Sequence, residues 1–220
     1  MEESWPKLRM LAPTEEHTNA FAEIISQVVK VGDCICFYGK VGAGKSTFSR
    51  AFIRSLADDE HLVVPSPTFM LQLVYEDHQG PPIHHFDLYR LRGPCDFANL
   101  DLRKSLRTAI SLIEWAERLE TEFPPEYLEL RITSIRQGVK LPPAGATFTV
   151  PLEEQEGYAG IQTEDLDLVD EVEVYSDTCE RAFDLIPHGP RWEALVARMT
   201  ENMHLYFATT PTTGQDRTES

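Results

Sequence analysis

No apolar run in this chain of 220 residues approaches the roughly 20 residues that a helix needs to cross a bilayer. The opening stretch "MEESWPKLRMLAPTEE" lacks the basic-then-apolar order of a secretory leader. It carries Glu2, Glu3, Glu15 and Glu16, and organelle transit peptides avoid acids. Cysteine is scarce: Cys34, Cys36, Cys95 and Cys179 are the whole set, and no pair has zinc-ligand spacing backed by a second pair. Cys34 and Cys36 are expected on one face of a strand as small buried hydrophobes. The expected compartment is a reducing one, the cytoplasm; a plastid or mitochondrion is the alternative should the N-terminus be a trimmed one. Basic residues are also few, 20 Lys and Arg against 36 Asp and Glu, for a net charge of −16. Residues 151–180 hold eleven of the acids and no Lys or Arg, which leaves 25 acids against 20 bases elsewhere. With no basic stripe to meet phosphates, direct non-specific nucleic-acid binding is disfavoured.

What is present fits one globular domain with a real core. "PTEEHTNAFAEIISQVV" reads as a helix: Thr14 as N-cap, Glu15 and Glu16 at the positive end of the dipole, and Phe21, Ile24, Ile25, Val28 and Val29 on one apolar face. Gly32-Asp33 turns the chain into the apolar run "CICFY", a buried strand. Phe48, Ala51, Phe52 and Leu56 then recur at helical spacing. "VVPSPTF" reads as an extended loop, because a residue before proline is pushed out of the helical region. "MLQLVYE", "IHHFD", "AISLIEW", "YLELRIT" and "RAFDLIP" read as strands, and short helical pieces are expected over 95–107. "PRWEALVARMTENM" reads as a closing helix. Residues 137–180 read as an acidic insertion within a domain spanning 1–208, and 209–220 as a disordered tail.

The informative stretch is "FYGKVGAGKST". Gly39, Gly44, Lys45 and Ser46 satisfy the spacing G-x-x-x-x-G-K-[ST] between a buried strand and an amphipathic helix. Glycines there let the backbone of Gly39, Lys40, Val41, Gly42, Ala43, Gly44 and Thr47 wrap an anion, with N–H groups pointing inward. The helix that follows adds its positive N-terminus. Lys45 reaches the outer phosphates of a nucleoside triphosphate, and the Ser46 hydroxyl serves Mg2+. Such a loop needs an acid at a neighbouring strand end. Asp87 closes "IHHFD" and Glu114 closes "SLIE", and spacing alone leaves open which is the direct ligand. His84 and His85 alternate across a strand and cannot form one metal site, so each is expected packed or hydrogen-bonded. Trp115 reads equally as core packing or as a lid.

Four blocks, "GKVGAGKSTFSR", "VPSPTF", "HHFDLYRL" and "LIEWAERL", resemble the TsaE family in order and interval. So do the flanking "PTEEHT" and "GPRWEAL", and the resemblance covers residues 8–136 and 180–200. It implies an α/β fold, a three-layer P-loop NTPase sandwich with a mostly parallel sheet and helices on both faces. It implies an ATPase that needs Mg2+ and works on ATP within an assembly that makes threonylcarbamoyladenosine in tRNA. TsaD-like and TsaB-like proteins would be its partners, tRNA contact would be indirect, and no membrane would be involved. On that resemblance Lys45, Asp87, Glu114 and Thr68 are catalytic, with Glu114 beside Ser46 as the metal-side acid and Thr68 as a switch threonine. Trp115 neighbours the acid, and Glu15 and Arg181 face the base side of the nucleotide. Ser46 stands where the family often has Thr, and both supply a hydroxyl. The insertion is untypical of the bacterial members and is read as decoration. Two rival readings are a small-molecule kinase, which would want a richer lid than Arg90, Arg92, Arg103 and Arg107, and a non-hydrolysing switch. With no obvious arginine finger beside the loop in sequence, weak turnover alone is expected.

Overall fold

A computed structural model describes residues 6–91, 100, 102–119, 123–135, 141, 143–150 and 180–208, with the side chains of 202–208 excepted. Eight strands form one sheet: β1 (Leu8–Ala12), β2 (Cys34–Tyr38), β3 (Gln72–Tyr75), β4 (Ile83–Asp87), β5 (Ile110–Glu114), β6 (Tyr127–Ile135), β7 (Ala146–Thr149) and β8 (Glu180–His188). The helices are α1 (Glu15–Ser26), α2 (Lys45–Ala57), α3 (Leu102–Thr108) and α4 (Pro190–Ala208), with a 3-10 turn at Ala116–Leu119. The strand order is β3-β4-β5-β2-β6-β8-β1-β7. β4, β5, β2 and β6 run parallel as a central block. β3 joins it antiparallel at one edge, and β8 and β1 continue it antiparallel at the other.

The short apolar runs become buried central strands, as β2 and β5 show: Cys34, Ile35, Cys36, Phe37 and Ile110 through Glu114 are all buried. Strand alternation sorts them into two cores. Ile35, Phe37, Ile83, Ile110, Leu112, Leu128 and Leu130 face one side, where Phe21 and Ile25 of α1, Phe48 and Phe52 of α2 and Trp192 of α4 pack on them. Cys34, Cys36, Phe86 and Ile113 face the other, against Leu102 of α3 and Ala116 and Leu119 of the 3-10 turn. Helices therefore cover both faces of a mixed, mostly parallel sheet, as expected of the three-layer class. The cysteine pair behaves as a buried hydrophobe: the sulfurs lie 3.8 Å apart, and burial first, then Cys34, pushes the Cys36 thiol well up. Cys95 and Cys179 lie outside the described residues.

Three features differ from the sequence reading. Leu8–Ala12 is a strand that the pattern did not announce. Thr14 occupies the N-cap position of α1 with an extended backbone, but its hydroxyl makes no cap bond; it meets Glu16 and His17 instead. The stretch read as an insertion also contributes β7, which runs parallel to β1 at the sheet edge and is followed by buried Val150. Residues 151–179 and the tail 209–220 lie outside the described residues, as does most of 95–101.

On the face that carries Cys34 and Cys36, the β6–β8–β1 half of the sheet is polar. Arg9 on β1 and Asp184 on β8 are register partners and form a buried bidentate pair at 2.5 and 2.7 Å. Beside them Glu129 accepts from Arg131 and pairs with His188 at 2.9 Å. Removing one member of a buried pair strands the other charge, which typically costs about 3–5 kcal/mol. Asp184→Ala should lower unfolding stability by that order in urea titration; a loss under about 1 kcal/mol would match a solvent-exposed pair.

Candidate functional site

The cleft is built where the parallel strands end. β2 stops at Tyr38, the chain loops through Gly39–Gly44, and α2 starts at Lys45. Gly39, Gly42 and Gly44 have φ of +150°, +76° and +109°, all outside the range that L side chains favour. Gly39 is also fixed by space: a Cβ there would lie 2.6 Å from the carbonyl oxygen of Ile132 on β6. The start of the loop thus packs against β6 just past the point where β2 ends. α2 has no acid of its own in its first turn, and its positive end opens on the cleft. Lys45 is buried, and its Nζ donates to the carbonyls of Gly39 at 2.7 Å and Lys40 at 3.0 Å. The same ammonium sits 3.7 Å from the centre of the Trp115 ring. Burial pulls the Lys45 pKa below its ordinary value, and Glu114, Glu117 and Asp87 oppose that shift.

The acids come from the adjacent parallel strands. Asp87 and Glu114 are register partners at the ends of β4 and β5, so both project to the face that carries α2. Their partners differ. Glu114 accepts from the Ser46 hydroxyl through Oε2 at 2.8 Å and meets His85 Nε2 through Oε1 at 2.8 Å. Asp87 accepts from Thr68 at 2.5 Å and Ser66 at 3.2 Å through Oδ2, and from the Tyr89 backbone N–H at 2.9 Å through Oδ1. One acid is tied to the start of α2, the other to the Ser66–Thr68 loop.

These groups line a cleft of about 510 Å³, within the range of a small-molecule site. Of the residues singled out in the sequence, Glu15, Val41, Gly42, Ala43, Gly44, Lys45, Ser46, Thr47, Thr68, Asp87, Glu114, Trp115 and Arg181 meet on its walls. Gly39 and Lys40 underlie it, contributing the carbonyls that hold Lys45. Arg181, on β8, donates from Nε to the Ala43 carbonyl at 2.9 Å, so the chain itself places an arginine against the loop. Trp115 both packs on the second core and lines the cleft. Its φ of +60° is strained for an aromatic residue, and its ring lies 4.8 Å from that of Tyr89. Thr14, Thr18, Ser66 and Tyr89 also line the cleft; none stands out as a site residue in the sequence, where Thr14 reads as an N-cap alone. Thr14 and Thr18 bracket Glu15 by one helical turn, and Ser66 precedes Thr68 by two residues; those offsets were the available signals. His85 is hydrogen-bonded and buried, as expected of a packed or hydrogen-bonded histidine, but nothing in the pattern named Glu114 as its partner.

The donor set suits a triphosphate and a hard divalent cation. The loop offers backbone N–H groups, a buried ammonium and a helix N-terminus, the features that cradle phosphate. Ser46 and Glu114 present oxygen ligands only, as Mg2+ prefers. Among the described residues no cluster of three or more His, Cys, Asp or Glu that could hold a metal occurs, so a cation here would lean on the substrate's phosphates, as Mg2+ commonly does. No helix among the described residues is long and apolar enough to cross a membrane.

A glycine loop between a buried strand and a helix, with two acids on the neighbouring parallel strand ends, defines a P-loop NTPase. The family described as "Threonylcarbamoyl adenosine biosynthesis protein TsaE" matches residues 12–140, and the chain belongs to it. A relative from Rickettsia felis, a "tRNA threonylcarbamoyladenosine biosynthesis protein TsaE", is 30% identical over 132 residues, covering 60% of this chain and 76% of its own. The protein of the same name from Bacillus subtilis is 32% identical over 126 residues, 57% of this chain and 77% of its own. That from Aquifex aeolicus is 37% identical over 109 residues, 50% of this chain and 77% of its own. The crystal structure of YdiB from Bacillus subtilis superposes with a TM-score of 0.56 at 22% identity, covering 88% of this chain and 94% of that one. That likeness shows the shared fold.

Two glycine substitutions separate the demands on the loop. Gly39→Ala drives a methyl into the Ile132 carbonyl and should cost about 1–3 kcal/mol of packing strain, displacing the loop. Gly42→Ala meets no atom within 4 Å and faces only the left-handed backbone penalty, about 1–2 kcal/mol. Titration of an ATP analogue, followed by Trp115 fluorescence, should show Gly39→Ala as the weaker binder; the reverse order would put the critical contact elsewhere.

Proposed function

We propose that the chain is a magnesium-dependent ATPase serving threonylcarbamoyl modification of tRNA adenosine, in an assembly with TsaD-like and TsaB-like proteins. The observation that carries this is the contact of Ser46 with Glu114 beside the phosphate loop, in a chain whose family is named for that biosynthesis. Lys45 neutralises charge on the outer phosphates, and the backbone N–H groups of the loop orient them. Ser46 and Glu114 would hold the cation, which when bound would supply electrostatic stabilisation of charge on the transferred phosphoryl group. Asp87 holds Thr68 and, with it, places the attacking water. Thr14, Glu15, Thr18 and Arg181 border the part of the cleft left for the nucleoside. The acidic chain reaches tRNA through its partners rather than by its own surface, and hydrolysis resets the assembly between rounds.

Turnover measured with and without TsaD-like and TsaB-like partners tests this reading. The isolated chain should hydrolyse ATP slowly, because the Arg181 Nε is engaged with the Ala43 carbonyl. An arginine supplied by another chain can be worth about 10³–10⁵ in rate. Full-speed turnover that no partner changes would contradict the assembly, and transfer of phosphate to a small acceptor would make the chain a kinase. Lys45→Ala should abolish hydrolysis, with about 1.5–3 kcal/mol lost in binding alone; undiminished activity would move the site.

The two acids should part in their magnesium dependence. Glu114 is tied to Ser46, whereas Asp87 is tied to Ser66 and Thr68. Glu114→Ala should therefore shift the Mg2+ concentration for half-maximal ATPase upward further than Asp87→Asn. A larger shift for Asp87→Asn would exchange their roles.

A further inference from the structure

We propose that His85 is a positioning residue: it pins one oxygen of Glu114, so that the other is presented to Ser46 and to the cation. This rests on the nucleotide-site reading above. His85 stands two residues before Asp87 on β4 and so shares its face of the sheet. Its register partner on β5 is Leu112, one step inward from the Asp87–Glu114 pair. The histidine therefore lies beneath the acid, on the core side of it. The Nε2 to Oε1 distance is 2.8 Å, and the two side chains are 1% and 2% exposed. On the far side of the same carboxylate, the Ser46 hydroxyl donates to Oε2, also at 2.8 Å. His85, Glu114 and Ser46 thus form one line from the core to the first turn of α2.

The other ring nitrogen sharpens the assignment. His85 Nδ1 is buried and, among the described residues, has no hydrogen-bond partner. A buried N–H without an acceptor is costly, so the tautomer that fits is the one with its proton on Nε2, aimed at Glu114. Among the described residues Glu114 is the acceptor that Nε2 meets. The terminal torsion of a glutamate is broad and roughly two-fold, so an unpinned Glu114 would exchange its oxygens or turn away from Ser46. With Oε1 held from below, the carboxylate offers a single oxygen at a fixed angle. Outer partners of metal ligands commonly act in this way.

The alternative is that His85 only fills space in the core, and three measurements on the full chain divide the two. The probe is Mn2+ taken up in the presence of a non-hydrolysable ATP analogue, read by electron paramagnetic resonance. The analogue's affinity in EDTA, read by Trp115 fluorescence, reports the phosphate loop without metal. His85→Leu should weaken Mn2+ uptake by about 10–100-fold and leave the EDTA affinity unchanged. His85→Gln, whose amide nitrogen reaches nearly as far as Nε2, should recover most of the lost affinity. Should His85→Leu fail to fold, His85→Asn, whose amide falls short of Glu114, takes its place against His85→Gln. Equal Mn2+ uptake in wild type and His85→Leu would overturn the proposal, as would parallel loss of both affinities, or no recovery with Gln. A wild-type chain that takes up the analogue but no Mn2+ would overturn the cation site itself and this proposal with it.

Discussion

Parallel register is the constraint on which the site hangs. Phe37 pairs with Glu114 across β2 and β5, and Asp87 pairs with Glu114 across β4 and β5. Three strand ends are thereby aligned to within one residue. The loop that leaves β2 must then pass over the acids that close β4 and β5. Side chains alternate with a period of two, so a slip of one residue on β5 would turn Glu114 away from α2 and bring Ile113 into the cleft. The register is held by burial rather than by the polar groups. Ile35, Ile83, Ile110 and Leu112 are fully buried on the α2 face, and the same slip would expose them or drive them into the second core. The chemistry at the strand ends is set by hydrophobic packing several residues back.

The opposite half of the sheet is set differently. β6, β8 and β1 carry Glu129, Arg131, His188, Asp184 and Arg9 on the face that bears the cysteines; Arg9–Asp184 and His188–Glu129 join neighbouring strands, and Arg131 reaches Glu129 along β6. Tyr127 stacks on its register partner His188 with ring centres 4.1 Å apart. Burial of one face already fixes the register of a strand; charged partners add a second lock, because a displaced neighbour leaves a buried charge unpaired. The antiparallel strands that close the domain are thus keyed by polar contacts, and the parallel strands that carry the site are keyed by apolar ones.

This division explains what could be read from the chain beforehand. The central strands and α2 were legible because short apolar runs and helical spacing leave few alternatives, and the glycine loop because its glycines answer to backbone geometry. Lys45, Ser46, Asp87 and Glu114 followed from the loop and from acids closing apolar runs. β1 was not legible: "LRMLA" carries an arginine that reads as solvent-facing until Asp184, 175 residues away, is brought against it. The place of β7 in the sheet was hidden for the same reason, since among the described residues its strand partner is β1. His85 was legible as packed or hydrogen-bonded, but its partner was not, because the tie to Glu114 runs between strands separated by 29 positions. Arg181 was named on resemblance alone; its approach to Ala43 needs β8 to lie between β6 and β1.

The placement of β8 has a mechanical consequence. It is the last strand among the described residues, yet it is not an edge: β6 flanks it on one side and β1 on the other. Nine residues of β8 pair with β6 and five with β1, and Trp192, Leu195 and Val196 of α4 are buried in the core cluster that holds Phe21 and Phe48. The C-terminal piece is thus clasped by strands laid down near the beginning and in the middle of the chain. A single backbone cut between β7 and β8 would leave two fragments locked in one sheet, and the cleft, which draws Arg181 from one and the phosphate loop from the other, would outlast the break. Covalent continuity between the two pieces is dispensable to the finished domain in a way that their hydrogen-bonded seam is not.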